Sequence, residues 1–323
     1  MDTPRQDTLL DSVLGAIGNT PLVDLSRLTR GLEGRLLAKL EYLNPGFSKK
    51  DRNALQMIIE AEVDGKLKPG QTVVELTSGN TGTGLSIVCA VKGYPFVAVM
   101  SKGNSPERAR MMKALGAEVI LIDQLPGSKP GQVSGGDLAL VEEAAQIIVK
   151  ERHAFRADQF HLLASSRGHY LHTAPEILKQ SNGKIDVFCD YAGTGSSFEG
   201  CAAAFKEYNP NILCYLVEPA DAAVLAGRSI TNPNHRIQGG GYSMMELSLI
   251  NKSHIDGYLQ VTDEDAIDVS RRLAREEGIF AGFSSGANVA AAMQLLKSEH
   301  QGKTIVVLLP DSGLKYLSTD LWL

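Results

Sequence analysis

The 323 residues are 43% hydrophobic and 21% charged, the composition of an ordinary soluble globular protein about twice the size of a typical domain. A net charge of −5, with no Lys/Arg cluster interleaved with aromatics, argues against a nucleic-acid partner. No apolar stretch approaches the roughly 18 residues of a membrane span, and Met1-Asp2-Thr3-Pro4-Arg5 lacks the basic and apolar regions of a secretion signal, so a cytoplasmic protein with no membrane partner is expected. Cys89, Cys189, Cys201 and Cys214 are scattered, with no Cys-x-x-Cys pair and no histidine at ligand spacing; reduced buried thiols and no metal site are expected.

In chain order, β-rich runs at 36–40, 72–76, 96–100, 118–122, 187–189, 213–218 and 304–309 alternate with helical patterns. The helical patterns cover 54–61, 83–91, 106–115, 138–150, 198–208, 263–277 and 288–298. This alternation predicts an α/β protein with doubly wound, largely parallel sheets. Ser105-Pro106-Glu107-Arg108 reads as a helix start with proline in the first turn, and Leu115-Gly116-Ala117 as the matching stop. Residues 125–136, rich in Pro, Gly, Ser and Lys, predict a surface loop. The strand–helix pattern restarts after 151–158, where a change of domain is expected.

Three segments carry chemistry. In Asn44-Pro45-Gly46-Phe47-Ser48-Lys49-Lys50-Asp51-Arg52 a lysine meets a helix start, whose dipole favours the neutral, nucleophilic amine. Thr77-Ser78-Gly79-Asn80-Thr81-Gly82 joins a predicted strand to a predicted helix and would aim N–H groups and hydroxyls at an anion such as an amino-acid carboxylate. Gly193-Thr194-Gly195-Ser196-Ser197 again lies between strand and helix and reads as a phosphate cradle. It is neither a P-loop, for want of Gly-Lys-Ser/Thr, nor a dinucleotide fingerprint, because the third glycine is misplaced. Amine, carboxylate loop and phosphate cradle together suggest a pyridoxal-phosphate (PLP) site. A further turn, 282–288, opens a helix and by itself reads as a cap.

The order of motifs resembles the cysteine synthase and cystathionine β-synthase family of fold-type II PLP enzymes. The matching residues include Ile17-Gly18-Asn19-Thr20-Pro21-Leu22-Val23, Lys50-Asp51-Arg52, the 77–82 loop, Ser105-Pro106-Glu107-Arg108 and Asp158-Gln159-Phe160. They continue with Val217-Glu218-Pro219, Gln238-Gly239-Gly240-Gly241, Ser284-Ser285-Gly286-Ala287 and Leu309-Pro310-Asp311-Ser312-Gly313. The resemblance implies a tryptophan synthase β-subunit-like fold, with a smaller mobile domain over 44–152 and a larger cofactor-anchoring domain over 13–43 and 153–323. A homodimer is implied as well. Lys50 would form the internal aldimine and act as the base at the substrate α-carbon. Asn80 would bond the cofactor's phenolic oxygen, Gly193, Thr194, Gly195, Ser196 and Ser197 its phosphate, and Ser284 its ring nitrogen, with Asp311 also binding the cofactor. Thr77, Ser78, Gly79, Thr81 and Gln159 would hold the substrate carboxylate, with Gly239 and Tyr242 at the substrate mouth.

A neutral Ser284 cannot hold the ring nitrogen protonated, so the cofactor would be a weaker electron sink than one with an aspartate there. That favours loss of a β-leaving group, and the expected reaction is β-replacement on an activated L-serine (O-acetylserine-like) through an aminoacrylate, of cysteine synthase type. Two alternatives stay open: a cystathionine β-synthase-like or specialised synthase joining serine or cysteine to a larger thiol or amine, and a non-catalytic PLP-binding homologue acting as a regulatory partner. Departures from the family pattern bear on the second substrate. Phe47 stands where a small residue is usual, Lys49 where an apolar one is, and Ser196 where a glycine is. The segments 161–169 and 239–246 are also altered, so that Leu162 and Leu163 would wall the mouth and Arg167 and His161 would meet an anionic group there.

Overall fold

The computed structural model describes residues 9–128 and 133–323; the central residues of the expected 125–136 loop lie outside them. The β-branched runs assemble into two sheets. Strand β1 (Leu22–Asp24) pairs antiparallel with β2 (Arg35–Lys39) at the edge of a six-stranded sheet. Its other members are β7 (Val187–Tyr191), β8 (Leu213–Pro219), β9 (Gly257–Val261) and β10 (Thr304–Leu308), all parallel in the order β1-β2-β10-β7-β8-β9. A four-stranded parallel sheet, in the order β5-β4-β3-β6, contains β3 (Val73–Leu76), β4 (Phe96–Ser101), β5 (Glu118–Ile122) and β6 (Phe155–Arg156).

Both sheets are covered on two faces, which is why their central strands are apolar on both sides rather than alternating. In the larger sheet, helices α8 (Asp263–Glu277) and α9 (Phe283–Leu296) bury Leu273, Val289 and Ala291 against Val187, Ile305 and Val307. On its other face α6 (Ala174–Gln180) and α7 (Ser196–Tyr208) set Ile177, Cys201 and Phe205 against Phe188 and Val306. In the smaller sheet α1 (Lys50–Val63), α2 (Asn80–Lys92) and α3 (Pro106–Ala114) supply Ile58, Val88 and Met112 to one face. Helix α4 (Gly135–Glu151) supplies Val141 and Ala145 to the other. All four cysteines are free and buried. Among the described residues no helix is long and apolar enough to cross a membrane.

The expected domain boundary lies after residue 152. Strand β6 lies beyond it, yet Val73 and Val74 pair with Phe155 and Arg156, so the chain leaves the smaller sheet only after that strand. The segment beyond it folds as α5 (Leu163–Gly168), a π-helical turn at His169–Thr173 and α6, none of which the hydrophobic pattern indicated. Open parallel sheets bind ligands beyond the carboxyl ends of their strands. Here the ends of β3, β7 and β10 point the 77–82, 193–197 and 310–313 segments toward one cleft.

Candidate active site

Two adjoining cavities of about 400 and 420 Å³ share Lys50, Asn80, Thr194 and Gly239 on their walls. The first adds Thr77, Ser78, Thr81, Gln159 and Tyr242, and the second Gly193, Ser197 and Ser284. Residues nominated from six separate stretches of sequence therefore meet in one place.

Lys50 is the first residue of α1, and its Nζ donates to Thr194 Oγ1 at 3.1 Å and Ser196 Oγ at 3.4 Å. Burial lowers its pKa to about 7, helped by the neighbouring charge of Lys49 and opposed by Asp190 and Glu75. An amine at that value is substantially neutral at physiological pH. Arg52, two residues on, lies outside the chemistry: its guanidinium forks onto Glu41 at 2.7 Å and onto Glu176 at 2.7 and 2.8 Å, fixing α1 to the larger domain.

The carboxylate loop is braced from within. Gly79 holds φ +129°, a conformation that an L side chain rarely adopts, and the stem of Arg108 fills the space where its Cβ would sit. Thr77 Oγ1 accepts from the N–H groups of Gly79 and Gly82 at 2.9 Å, which leaves its own hydrogen free for a ligand. Thr81 Oγ1 donates to Gln159 Oε1 at 2.5 Å, and Gln159 Nε2 donates to Glu75 and to the Leu76 carbonyl at 3.1 and 2.9 Å. Both amide hydrogens of Gln159 are thereby committed, so it fastens the loop to β3 rather than offering a free donor. Ser78 Oγ meets Tyr242 OH at 3.0 Å, linking the 77–82 loop to the 239–242 segment across the first cavity.

Arg108 is a functional candidate that sequence reading passed over as part of a helix start. It is 1% exposed and lines the first cavity. Its Nη1 donates to the Ser78 carbonyl at 2.6 Å and its guanidinium lies 4.9 Å from the Tyr316 ring centroid, while Nε and Nη2 have no hydrogen-bond partner. Among the described residues no carboxylate forms an ion pair with it, so its positive charge lies beneath the 77–82 loop held by the Ser78 carbonyl and the Tyr316 ring.

The 193–197 turn joins the end of β7 to the start of α7. Gly195 caps α7 at φ +82°, and the first turn of a helix leaves N–H groups unpaired for an anion. A Cβ on Gly193 would stand 2.9 Å from the Gly239 carbonyl, so this close approach requires glycine. Ser196 is drawn the other way: its hydroxyl accepts from Asn53 Nδ2 at 2.9 Å and lies 2.9 Å from Thr194 Oγ1. Asp311 differs from its expected direct contact, since its carboxylate does not line either cavity. Asp311 Oδ2 accepts from Asn80 Nδ2 and from Tyr316 OH, both at 2.7 Å, and the residue acts on the cleft through Asn80.

The 161–169 segment departs most from expectation. Arg167 Nη1 bonds Glu60 at 2.8 Å on the outer surface, His161 pairs with Asp158 at 2.8 Å, and Leu163 is 63% exposed. Neither these three side chains nor Leu162 line the cleft, because α5 turns this segment against α1 and α7. Only Gln159 and Phe160, just before it, reach the cavity.

The chain is similar to known proteins over nearly its whole length. The family described as "Pyridoxal-phosphate dependent enzyme" matches residues 13–311. A cysteine synthase of Staphylococcus aureus (strain Mu50) is 42% identical over 315 residues, 97% of each chain. A cysteine synthase of Entamoeba histolytica superposes with a TM-score of 0.90 at 35% identity, covering 100% of this chain and 93% of that one. An O-ureido-L-serine synthase superposes at 0.87 with 37% identity over 98% and 96% of the two chains. The residues present suit PLP: an amine of lowered pKa for its aldehyde, a glycine-walled cradle at a helix N-terminus for its phosphate, and the 7% exposed Ser284 in the same cavity. The chain belongs to the cysteine synthase and cystathionine β-synthase family of fold-type II PLP-dependent enzymes.

Proposed function

We propose that the protein catalyses β-replacement on an activated L-serine such as O-acetylserine, with sulfide as nucleophile, and so forms cysteine. The observation that carries this reading is Lys50 Nζ standing between the carboxylate loop of one cavity and the phosphate cradle of the other. When bound, PLP supplies the electron sink that acidifies the substrate α-proton and releases the β-substituent. Lys50 then carries that proton on Nζ and returns it to Cα, a task that its pKa of about 7 suits. Thr77, Ser78 and the N–H groups opening α2 hold the carboxylate, and Arg108 adds charge behind them. Ser284 stands as a neutral partner for the ring, and the Ser78–Tyr242 bond ties the carboxylate loop to the far wall of the first cavity.

The likeness to an O-ureido-L-serine synthase supports a second reading, in which a larger nucleophile replaces sulfide. Purified protein given O-acetylserine and either sulfide or a panel of thiols and amines separates the two. Cysteine formation faster than any other product supports the first, preference for a larger nucleophile supports the second, and no turnover of any activated serine overturns both. Homodimeric assembly belongs to this proposal; it is supported by an outer groove of about 960 Å³ in which Ile59 and Leu171 are exposed, and light scattering tests it. A cytoplasmic location is supported by four reduced, buried thiols.

A further inference from the structure

Lys49 lies in the wall of the cofactor cavity beside Lys50, 8% exposed. All three of its ammonium donors are spent: on Asp190 Oδ1 and Oδ2 at 2.9 Å each, and on Ser197 Oγ at 2.6 Å. Asp190, fully buried at the end of β7, is also held by Asn288 Nδ2 at 3.1 Å. Ser197 Oγ in turn donates its single hydrogen to Asp190 Oδ2. The hydroxyl that faces the phosphate cradle is thus engaged by a carboxylate that would compete with the phosphate for the same hydrogen.

The donor inventory shows how the competition can resolve. A serine hydroxyl has one hydrogen, and Asp190 Oδ2 already accepts a second donor, Lys49. When Ser197 turns its hydrogen toward an anion over the α7 N-terminus, Oδ2 stays paired and no buried carboxylate oxygen is orphaned. Without Lys49 the same rotation would strip Asp190 Oδ2 of its last donor, a costly change in a buried site. We propose that Lys49 is a positioning residue that releases the Ser197 hydroxyl to the cofactor phosphate by keeping Asp190 satisfied. Lys49 and Asp190 form a charge-neutral unit that makes Ser197 switchable between the carboxylate and the phosphate.

The test is equilibrium titration of full-length apoenzyme with PLP, read by fluorescence and absorbance. In the parent background Ser197→Ala weakens PLP binding at least tenfold. In the Lys49→Met background, where Ser197 stays locked on Asp190, adding Ser197→Ala changes binding by less than about twofold. In Lys49→Met/Asp190→Val, where nothing competes for the hydroxyl, the cost of Ser197→Ala returns. Equal costs of Ser197→Ala in the parent and Lys49→Met backgrounds overturn the proposal. Should Lys49→Met fail to fold, Asp190→Asn decides: a weaker competitor for the hydrogen tightens PLP binding at least threefold, whereas a purely structural ion pair makes the same change weaken it. The outcome depends on PLP binding alone and is independent of which nucleophile the enzyme uses.

Discussion

Lys315 Nζ donates to Asn80 Oδ1 at 2.7 Å, and this contact decides which way the asparagine faces. A lysine ammonium can only donate and the Asp311 carboxylate can accept from Nδ2, so the amide orientation is fixed, with one N–H left for the cleft. Lys315 is itself anchored to the Gly46 carbonyl at 2.9 Å, next to the start of α1. The two helices that carry Lys50 and Asn80 are thereby locked in register from below.

Lys315→Met should retain bound PLP but shift its visible absorption, because Asn80 is then free to turn its acceptor toward the cofactor. Losing a charged, buried hydrogen bond costs roughly 1.5–3 kcal/mol, so a drop in turnover of about tenfold or more is expected. Lys315→Arg should restore both signals. An unchanged spectrum in Lys315→Met would show that Asn80 does not depend on this clamp.

Lys50, and not Lys49, is expected to carry the cofactor. Lys49 is occupied as an ammonium by Asp190 and Ser197, whereas Lys50 meets only hydroxyls. Lys50→Ala should abolish the cofactor's lysine-linked absorption, while Lys49→Ala should keep it. Burial and the Lys49 charge set the Lys50 pKa at about 7 against an ordinary 10.5, so capture of PLP by apoenzyme should rise with pH up to about 7 and then level. Continued acceleration toward pH 10 would show that the amine is not depressed.

Much of this was legible in the chain. Helix α8 begins and ends at the predicted residues because Thr262 caps it and Gly278 stops it in left-handed conformation, both local signals. The 77–82 and 193–197 turns were legible as strand–helix junctions because each packs its glycines and hydroxyls into five or six consecutive residues. Helices α1, α2 and α9 start earlier than the apolar pattern suggested, since their first turns carry functional polar residues: Lys50, Asn80, Ser284. The Lys49–Asp190 pair was not legible, as 141 residues separate the partners, and Lys49 alone reads as a departure. Segment 161–169 misled because its residue types suit a polar mouth, whereas its position is set by packing against α1 and α7.

Ser284 should be replaceable for binding but not for rate. Ser284→Ala is expected to keep PLP and to lower turnover by more than about threefold, beyond roughly 0.7 kcal/mol of barrier. A rate within that margin would remove Ser284 from the chemistry, and steady-state kinetics on PLP-saturated enzyme make the measurement.

Two arginines give opposite expectations. Arg167 forms an exposed pair with Glu60, 49% and 22% exposed at the side chains, and such pairs contribute about 0–1 kcal/mol. Arg167→Ala should therefore leave kcat and KM for both substrates within about twofold. Arg108 is buried behind the carboxylate loop, bonded to the Ser78 carbonyl and filling the space beneath Gly79. Arg108→Met removes the charge and frees the Ser78–Gly79 peptide, so KM for the amino-acid substrate should rise ten- to a hundredfold, about 1.4–2.8 kcal/mol. PLP affinity should stay within about threefold, because the 193–197 turn follows β7 of the other sheet. Arg108→Lys keeps the charge but not the fork, and should recover part of the loss. If Arg108→Met lowered PLP affinity and left KM unchanged, the charge would serve the cofactor and not the carboxylate, and the assignment of the first cavity to the substrate would have to be reversed.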